Sequence, residues 1–261
     1  MNLSPRRRLV LLVAVWAVLL VALAFLWPDG DPTVREQVPV TDSRPEIAAA
    51  VDAAVTAASA YDDAVFTVGA FEKEADCSLT PVRPGVAYEQ IVRLYARPEN
   101  ARSVLGRMYA DLHTAYDLVG NGDGAYLGYT GPFVTAELAL ADDGAVMWRL
   151  DTGCRPVDEP VALVEAVGTP SPEAEGLAGA LGFAGARWTS TAAGCAATVT
   201  ASAASGLDAV SRAAEGGWSS YSGPSGTPSW FVGTAADGSA TVLAWDAEDG
   251  VARVSATRGC V

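Results

Sequence analysis

The first clear feature of the hydrophobic pattern is a run with no polar position in it. Leu9 to Trp27 holds 19 residues without a charge, glycine or proline. As a helix at about 1.5 Å per residue it would span about 28 Å, close to the roughly 30 Å of bilayer hydrocarbon. Residues 28–45 then hold four prolines, mixed charges and no periodicity, which predicts a flexible linker. From Glu46 to Tyr61 the residues Val51, Val55, Ala58 and Tyr61 recur at helical spacing. Ala64 to Glu74 and Val86 to Tyr95 are rich in β-formers, and Pro81 and Pro84-Gly85 break the chain between them, around Cys77. Pro98 suits the first turn of a second helix, whose apolar stripe is Ala101, Val104, Leu105, Met108, Leu112, Ala115 and Val119. Three short strands follow at 125–130, 133–140 and 145–151, turning at Gly131-Pro132 and Asp143-Gly144 before Cys154.

After a connector at 157–172 the order repeats. A short helix is expected at Glu173 to Leu181, strands at 185–191 and 195–203, and a helix from Leu207 to Glu215. Three more strands at 229–234, 239–246 and 251–258 lead to Cys260. Ala141-Asp142-Asp143-Gly144 matches Ala247-Glu248-Asp249-Gly250, and the tenth residue after each of these glycines is Cys154 or Cys260. The pattern therefore predicts an α+β fold of two tandem αββαβββ-like units with antiparallel sheets, each closed by a disulfide. The expected boundaries are a basic N-terminus 1–8, a transmembrane helix 9–27, a linker 28–45, unit 1 at 46–156, a connector 157–172 and unit 2 at 173–261.

Charge sets the orientation. Arg6, Arg7 and Arg8 precede the apolar run, so its N-terminal side is expected in the cytoplasm and residues 28–261 outside, as a single-pass protein of the cell membrane. A cleaved signal peptide, cut after Ala22-Leu23-Ala24, is the alternative; the apolar run continuing to Trp27 favours an uncleaved anchor. All 31 acidic residues lie beyond Trp27 with only 14 of the 17 basic ones, a net of −17 on the exported part. Such a surface repels nucleic acid and anionic headgroups. The four cysteines Cys77, Cys154, Cys195 and Cys260 all lie on the exported side, where disulfides form. They are too widely spaced for a zinc site. Of the three pairings, two equivalent units select Cys77–Cys154 and Cys195–Cys260, each worth about 3–4 kcal/mol in the chain-entropy account.

Candidate chemistry is sparse, and nothing in it calls for a metal or a cofactor. His113, the single histidine, falls on the polar side of its helix near Asp111 and Asp117. No nucleophile motif accompanies it. Asn121-Gly122-Asp123-Gly124 imitates part of a calcium loop but lacks the closing glutamate, so turn chemistry explains it. The acidic pairs Asp62-Asp63, Asp142-Asp143 and Asp158-Glu159 fall at a helix end, a hairpin turn and the connector. Gly216 to Trp230 is a Gly/Ser/Pro-rich loop carrying Trp218, Tyr221 and Trp230. These are candidate contacts for an envelope protein or glycan, or anchors of the loop to the core. The reading is a membrane-anchored extracytoplasmic protein, a non-catalytic binding or assembly module at the cell envelope. An envelope hydrolase acting on glycan or peptide is its alternative. An anchor followed by tandem small α+β units is similar in architecture to accessory subunits of envelope transport machines, a likeness of fold alone.

Overall fold

A computed structural model of the chain describes residues 13–19 and 38–258, apart from 63, 132, 157–165, 195, 204–205, 217, 223–227, 235–239 and 246–251. Residues 13–19 are helical. Among the described residues no helix is long and apolar enough to cross a membrane; the rest of the expected span 9–27 lies outside them. The remainder is a mixed α+β fold with two antiparallel sheets and one disulfide, Cys77–Cys154.

The first sheet contains β1 (Ala64–Val68), β2 (Glu72–Thr80), β3 (Arg83–Ala96), β4 (Val119–Gly120), β5 (Tyr126–Thr130), β6 (Val134–Leu140), β7 (Val146–Asp151) and β8 (Arg155–Pro156). Its order is β1-β3-β7-β6-β5-β4, with β2 and β8 both paired to β3. Helices α1 (Val40–Ala58) and α2 (Pro98–Tyr116) cover one face. Alternation builds the core. Val92, Leu94, Val134, Ala136, Leu138, Val146, Trp148 and Leu150 point to the helices and are buried, while Glu89, Glu137 and Arg149 face the other way.

The second sheet contains β9 (Ala166–Val167), β10 (Thr189–Ala193), β11 (Ala196–Ala203), β12 (Ser219–Ser222), β13 (Pro228–Thr234), β14 (Ala240–Trp245) and β15 (Ala252–Arg258). From its β10 side the order is β10-β11-β15-β14-β13-β12. Position for position this is the order of the first sheet, with α3 (Pro172–Ala180) before the first strand and α4 (Gly206–Glu215) after the second. β9 is one extra edge strand. Ser171 starts α3 by accepting a hydrogen bond from the Ala174 amide at 3.2 Å.

Three boundaries differ from the expectation. The linker does not reach residue 45, because α1 begins at Val40 and contains Pro45. Losing one helical hydrogen bond at Pro45 is offset by burial: Val38, Val40 and Ser43 are inaccessible, and Val40 packs with Val86 and Tyr88. The break expected around Cys77 is instead β2, and β3 runs through Pro84 to a length of 14 residues. β2 is exposed along its length and pairs on one side only with β3, so charged residues and a nearby proline are tolerated there. The strand expected at 185–191 sits later, at Thr189–Ala193.

The disulfide joins β2 to the end of β7 across 77 residues, with Cα atoms 5.9 Å apart. It passes over Gly85 of β3. A Cβ there would lie 2.6 Å from Cys154 Sγ and 2.8 Å from the Arg155 carbonyl oxygen, so only glycine leaves room. Arg155, next in the chain, is fully buried and satisfied by carbonyls. Nε donates to Thr152 at 2.7 Å, and the terminal nitrogens donate to Phe133 at 3.0 Å and Val38 at 3.4 Å. One guanidinium thus ties the approach to α1, the β5–β6 turn and the end of β7. Gly85→Ala is expected to destabilise the protein by about 1–3 kcal/mol through overpacking. Gly106→Ala, on the exposed side of α2 with nothing within 4 Å, is expected to raise stability by about 0.5–1 kcal/mol. Thermal melts of both variants check the contrast.

Candidate functional site

The two sheets meet along a seam. The second sheet turns Ala201, Phe231, Ala252 and Val254 towards α3 and α4, and its other face towards the edge of the first sheet. There Thr198 Oγ1 accepts a hydrogen bond from the Val68 amide of β1 at 3.1 Å and pairs with Thr257 at 2.8 Å. Trp230, 1 % exposed, packs edge-to-face on Tyr95 with ring centroids 5.0 Å apart, and its indole donates to the Asp143 carbonyl at 3.1 Å. Asp143 is held in turn. Its carboxylate caps the β6–β7 turn by accepting from the Ala145 amide at 2.9 Å and pairs with Arg93 at 3.2 Å. Gly144 completes that turn with φ of 86°. Burial, opposed by the nearby Arg93 guanidinium, pushes the Tyr95 phenol above its ordinary range.

Beside the seam lies a cleft of about 270 Å³ between α1, β3 and β10. Ala48, Ala70 and Phe71 give it apolar surface over a floor of the fully buried Ile47 and Val51, and Gln90, Thr189 and Thr191 give it amide and hydroxyl groups. Arg44 and Asp52 of α1 are its charged residues. The Arg44 guanidinium sits 5.4 Å from the centre of the Phe71 ring, which is itself stacked on Tyr88 at 5.3 Å.

A second accessible feature is an apolar strip on the β4–β5 edge of the first sheet. Val119 stands opposite Leu127, and Tyr129 is two residues further along the same face. They are 70 %, 47 % and 63 % exposed. Glu137 lies opposite Leu127 on β6, and Asp117 and Asp123 flank Val119 in the chain.

The expected site residues are scattered. Trp230 is buried in the seam and offers no surface to a partner, because its ring and its N–H are both used within the fold. Trp218 is half-buried against the core under α4, and Gly233 is kept free of a side chain by the Trp218 ring at 3.0 Å. The Tyr221 backbone pairs with Trp230 in β12–β13, and its side chain lies outside the described residues. His113 is exposed on α2, stacked on Tyr109 with centroids 5.0 Å apart and with Nδ1 within 3.1 Å of the Tyr109 and Ala110 carbonyls. The calcium-like loop is a turn: Asn121 Oδ1 accepts from the Asp123 and Ala125 amides at 2.9 and 3.2 Å. Among the described residues no group of three or more His, Cys, Asp or Glu could hold a metal. Cys77 and Cys154 are joined; Cys195 and Cys260 lie outside the described residues, as does the Asp158-Glu159 pair. Neither the cleft nor the strip carries a sequence signature, since Arg44 stands in what reads as linker and Val119 in what reads as a helix stripe.

The chain matches no family model, no curated protein and no solved structure.

Trp230→Phe keeps the ring contact with Tyr95 and removes the donor to Asp143; a loss of about 1–2 kcal/mol in denaturant unfolding is expected. The seam is also alkali-sensitive. A phenol with a raised folded pKa contributes stability that is complete below about pH 10 and is lost as pH rises above it. Tyr95→Phe is expected to flatten the fall in stability above pH 10, measured by pH-dependent melting.

Proposed function

We propose that the chain is an extracytoplasmic binding or assembly module, held at the membrane by Leu9 to Trp27 with its N-terminus in the cytoplasm and working without catalysis. The observation that carries the reading is the strip of Val119, Leu127 and Tyr129: three adjoining apolar side chains left open to solvent at a sheet edge. Contiguous exposed apolar surface with a polar rim marks interaction sites, and the flanking carboxylates favour a partner surface that is apolar and basic. The disulfide supports an oxidising compartment. Support for the anchor comes from residues 13–19, helical and with Val13, Val15, Trp16, Val18 and Leu19 open to their surroundings. A hydrolase would need two carboxylates converging on a cleft, or His113 facing one. Among the described residues Asp52 is the one carboxylate lining the cleft, and His113 is exposed elsewhere.

The same proposal includes duplication and a second disulfide. Equal strand order in the two sheets supports two units of common origin, 46–156 and 173–261. The pairing of Cys195 with Cys260 is the counterpart of Cys77–Cys154 in the second unit; the β11–β15 ladder, from Ala203 opposite Ala252 to Ala197 opposite Arg258, sets side by side the two strands next to these cysteines in the chain.

Site-specific photo-crosslinking in membranes of the producing cell tests the reading. A crosslinker at position 127 or 129 is expected to give one discrete adduct, absent when it is placed at the exposed helical residue Arg102 and lost on adding Val119→Ser. Equal adducts from all three positions would overturn the strip as a docking surface. Intact mass and non-reducing peptide mapping of the same preparation are expected to give an uncleaved N-terminus and a Cys195–Cys260 peptide. A chain beginning after Ala24 would establish the secreted alternative.

A further inference from the structure

The cleft shares no residue with the strip, and its chemistry points to a different ligand. Arg44 and Asp52 are eight residues apart on α1, so along the helix axis they stand about 12 Å apart. Neither belongs to an ion pair among the described residues. Two opposite charges on one cleft wall, too far apart to neutralise each other, match a ligand that carries the complementary charges at the same separation.

We propose that the cleft binds a short extended peptide with both termini free, its α-carboxylate on Arg44 and its α-ammonium on Asp52. An extended chain rises about 3.3 Å per residue, so about four residues cover the distance. Arg44 suits the carboxylate end. Its guanidinium rests over Phe71, which restrains it, and its planar fork can donate two parallel hydrogen bonds to a carboxylate. Asp52 suits the other end. It is half-buried, beside the β10–β11 turn at Gly194. Between the two, Ala48, Ala70 and Phe71 offer apolar contact to small side chains; the Thr191 hydroxyl offers a hydrogen bond to peptide groups, and Thr189 Oγ1, which donates to the Thr200 carbonyl at 3.3 Å, can accept one. Gln90 is buried, with Nε2 committed to the Gly69 carbonyl at 3.0 Å, so its amide stands in a fixed orientation with Oε1 as an acceptor. The ligand has to be short, because a cleft of about 270 Å³ takes a few residues and not a folded partner.

The test is calorimetric titration of the full-length protein in detergent with tetra-alanine in three forms: free at both ends, N-acetylated and C-amidated. Saturable binding of the free form is expected. Acetylation is expected to weaken it about fivefold in the natural protein and not at all in Asp52→Asn. Amidation is expected to weaken it about fivefold in the natural protein and not at all in Arg44→Gln. Arg44 is exposed and Asp52 half-buried, so both variants are expected to melt as the natural protein does. Equal losses on blocking in the natural protein and in the variants would overturn the assignment. So would the absence of saturation at roughly 10 mM peptide, or chitobiose binding as well as the free peptide. Leu127→Ser is expected to leave the titration unchanged, which separates this site from the docking strip.

Discussion

The seam between the two sheets is the constraint on which the rest of the molecule depends. It is built from small and polar groups as much as from apolar ones. Thr198 satisfies the Val68 amide on the edge of β1, and Ala193 and Ala196 fit against the same core as α1. A large side chain at any of these positions would hold the sheets apart. Trp230 supplies the apolar bulk further along, and its N–H is satisfied by the one carbonyl that the Asp143-Gly144 turn presents to it. That turn is rigid because Asp143 caps it and Arg93 pairs with the same carboxylate. A hairpin turn in one sheet thereby becomes the socket for an aromatic from the other.

The bridge of Cys77 to Cys154 holds the opposite end of the first sheet. Two strands, β2 and β8, flank β3 there, and neither has much apolar surface to hold it. A covalent link and a fully buried arginine take the place of a larger core. Burying a guanidinium is costly unless its donors are satisfied. Arg155 meets that condition through backbone carbonyls from three separate segments, so its burial also fixes where α1 begins. The arrangement is stable where thiols are oxidised.

Much of this fold was legible in the sequence. Turn pairs such as Asp143-Gly144 and the alternating strands around them placed β5, β6 and β7 to within about a residue, and Cys77–Cys154 is one of the two pairings expected. What escaped has physical causes. β2 is exposed on both faces, so Glu72, Lys73, Glu74 and Asp76 leave no alternation to detect. The start of α1 is set by tertiary burial of Val38 and Val40, which overrides the helix-breaking signal of Pro45. Trp230 read as either a partner contact or an anchor of its loop, and it is the anchor, packed on Tyr95. Cleft and strip were invisible for simpler reasons. The cleft joins segments far apart in the chain, α1 with β10, and the strip's Val119 reads as the end of the α2 stripe.

The account makes the two sheets a single cooperative body, with the cleft beside their junction and the strip on the far edge of the first sheet. Hydrogen–deuterium exchange of the full-length protein tests that claim most directly. Amides of β3, at the centre of the first sheet, and of β15, at the centre of the second, are expected to exchange through one opening, with the same free energy and the same response to denaturant. Exchange of β15 through a separate and lower-energy opening, with β3 still protected, would contradict it.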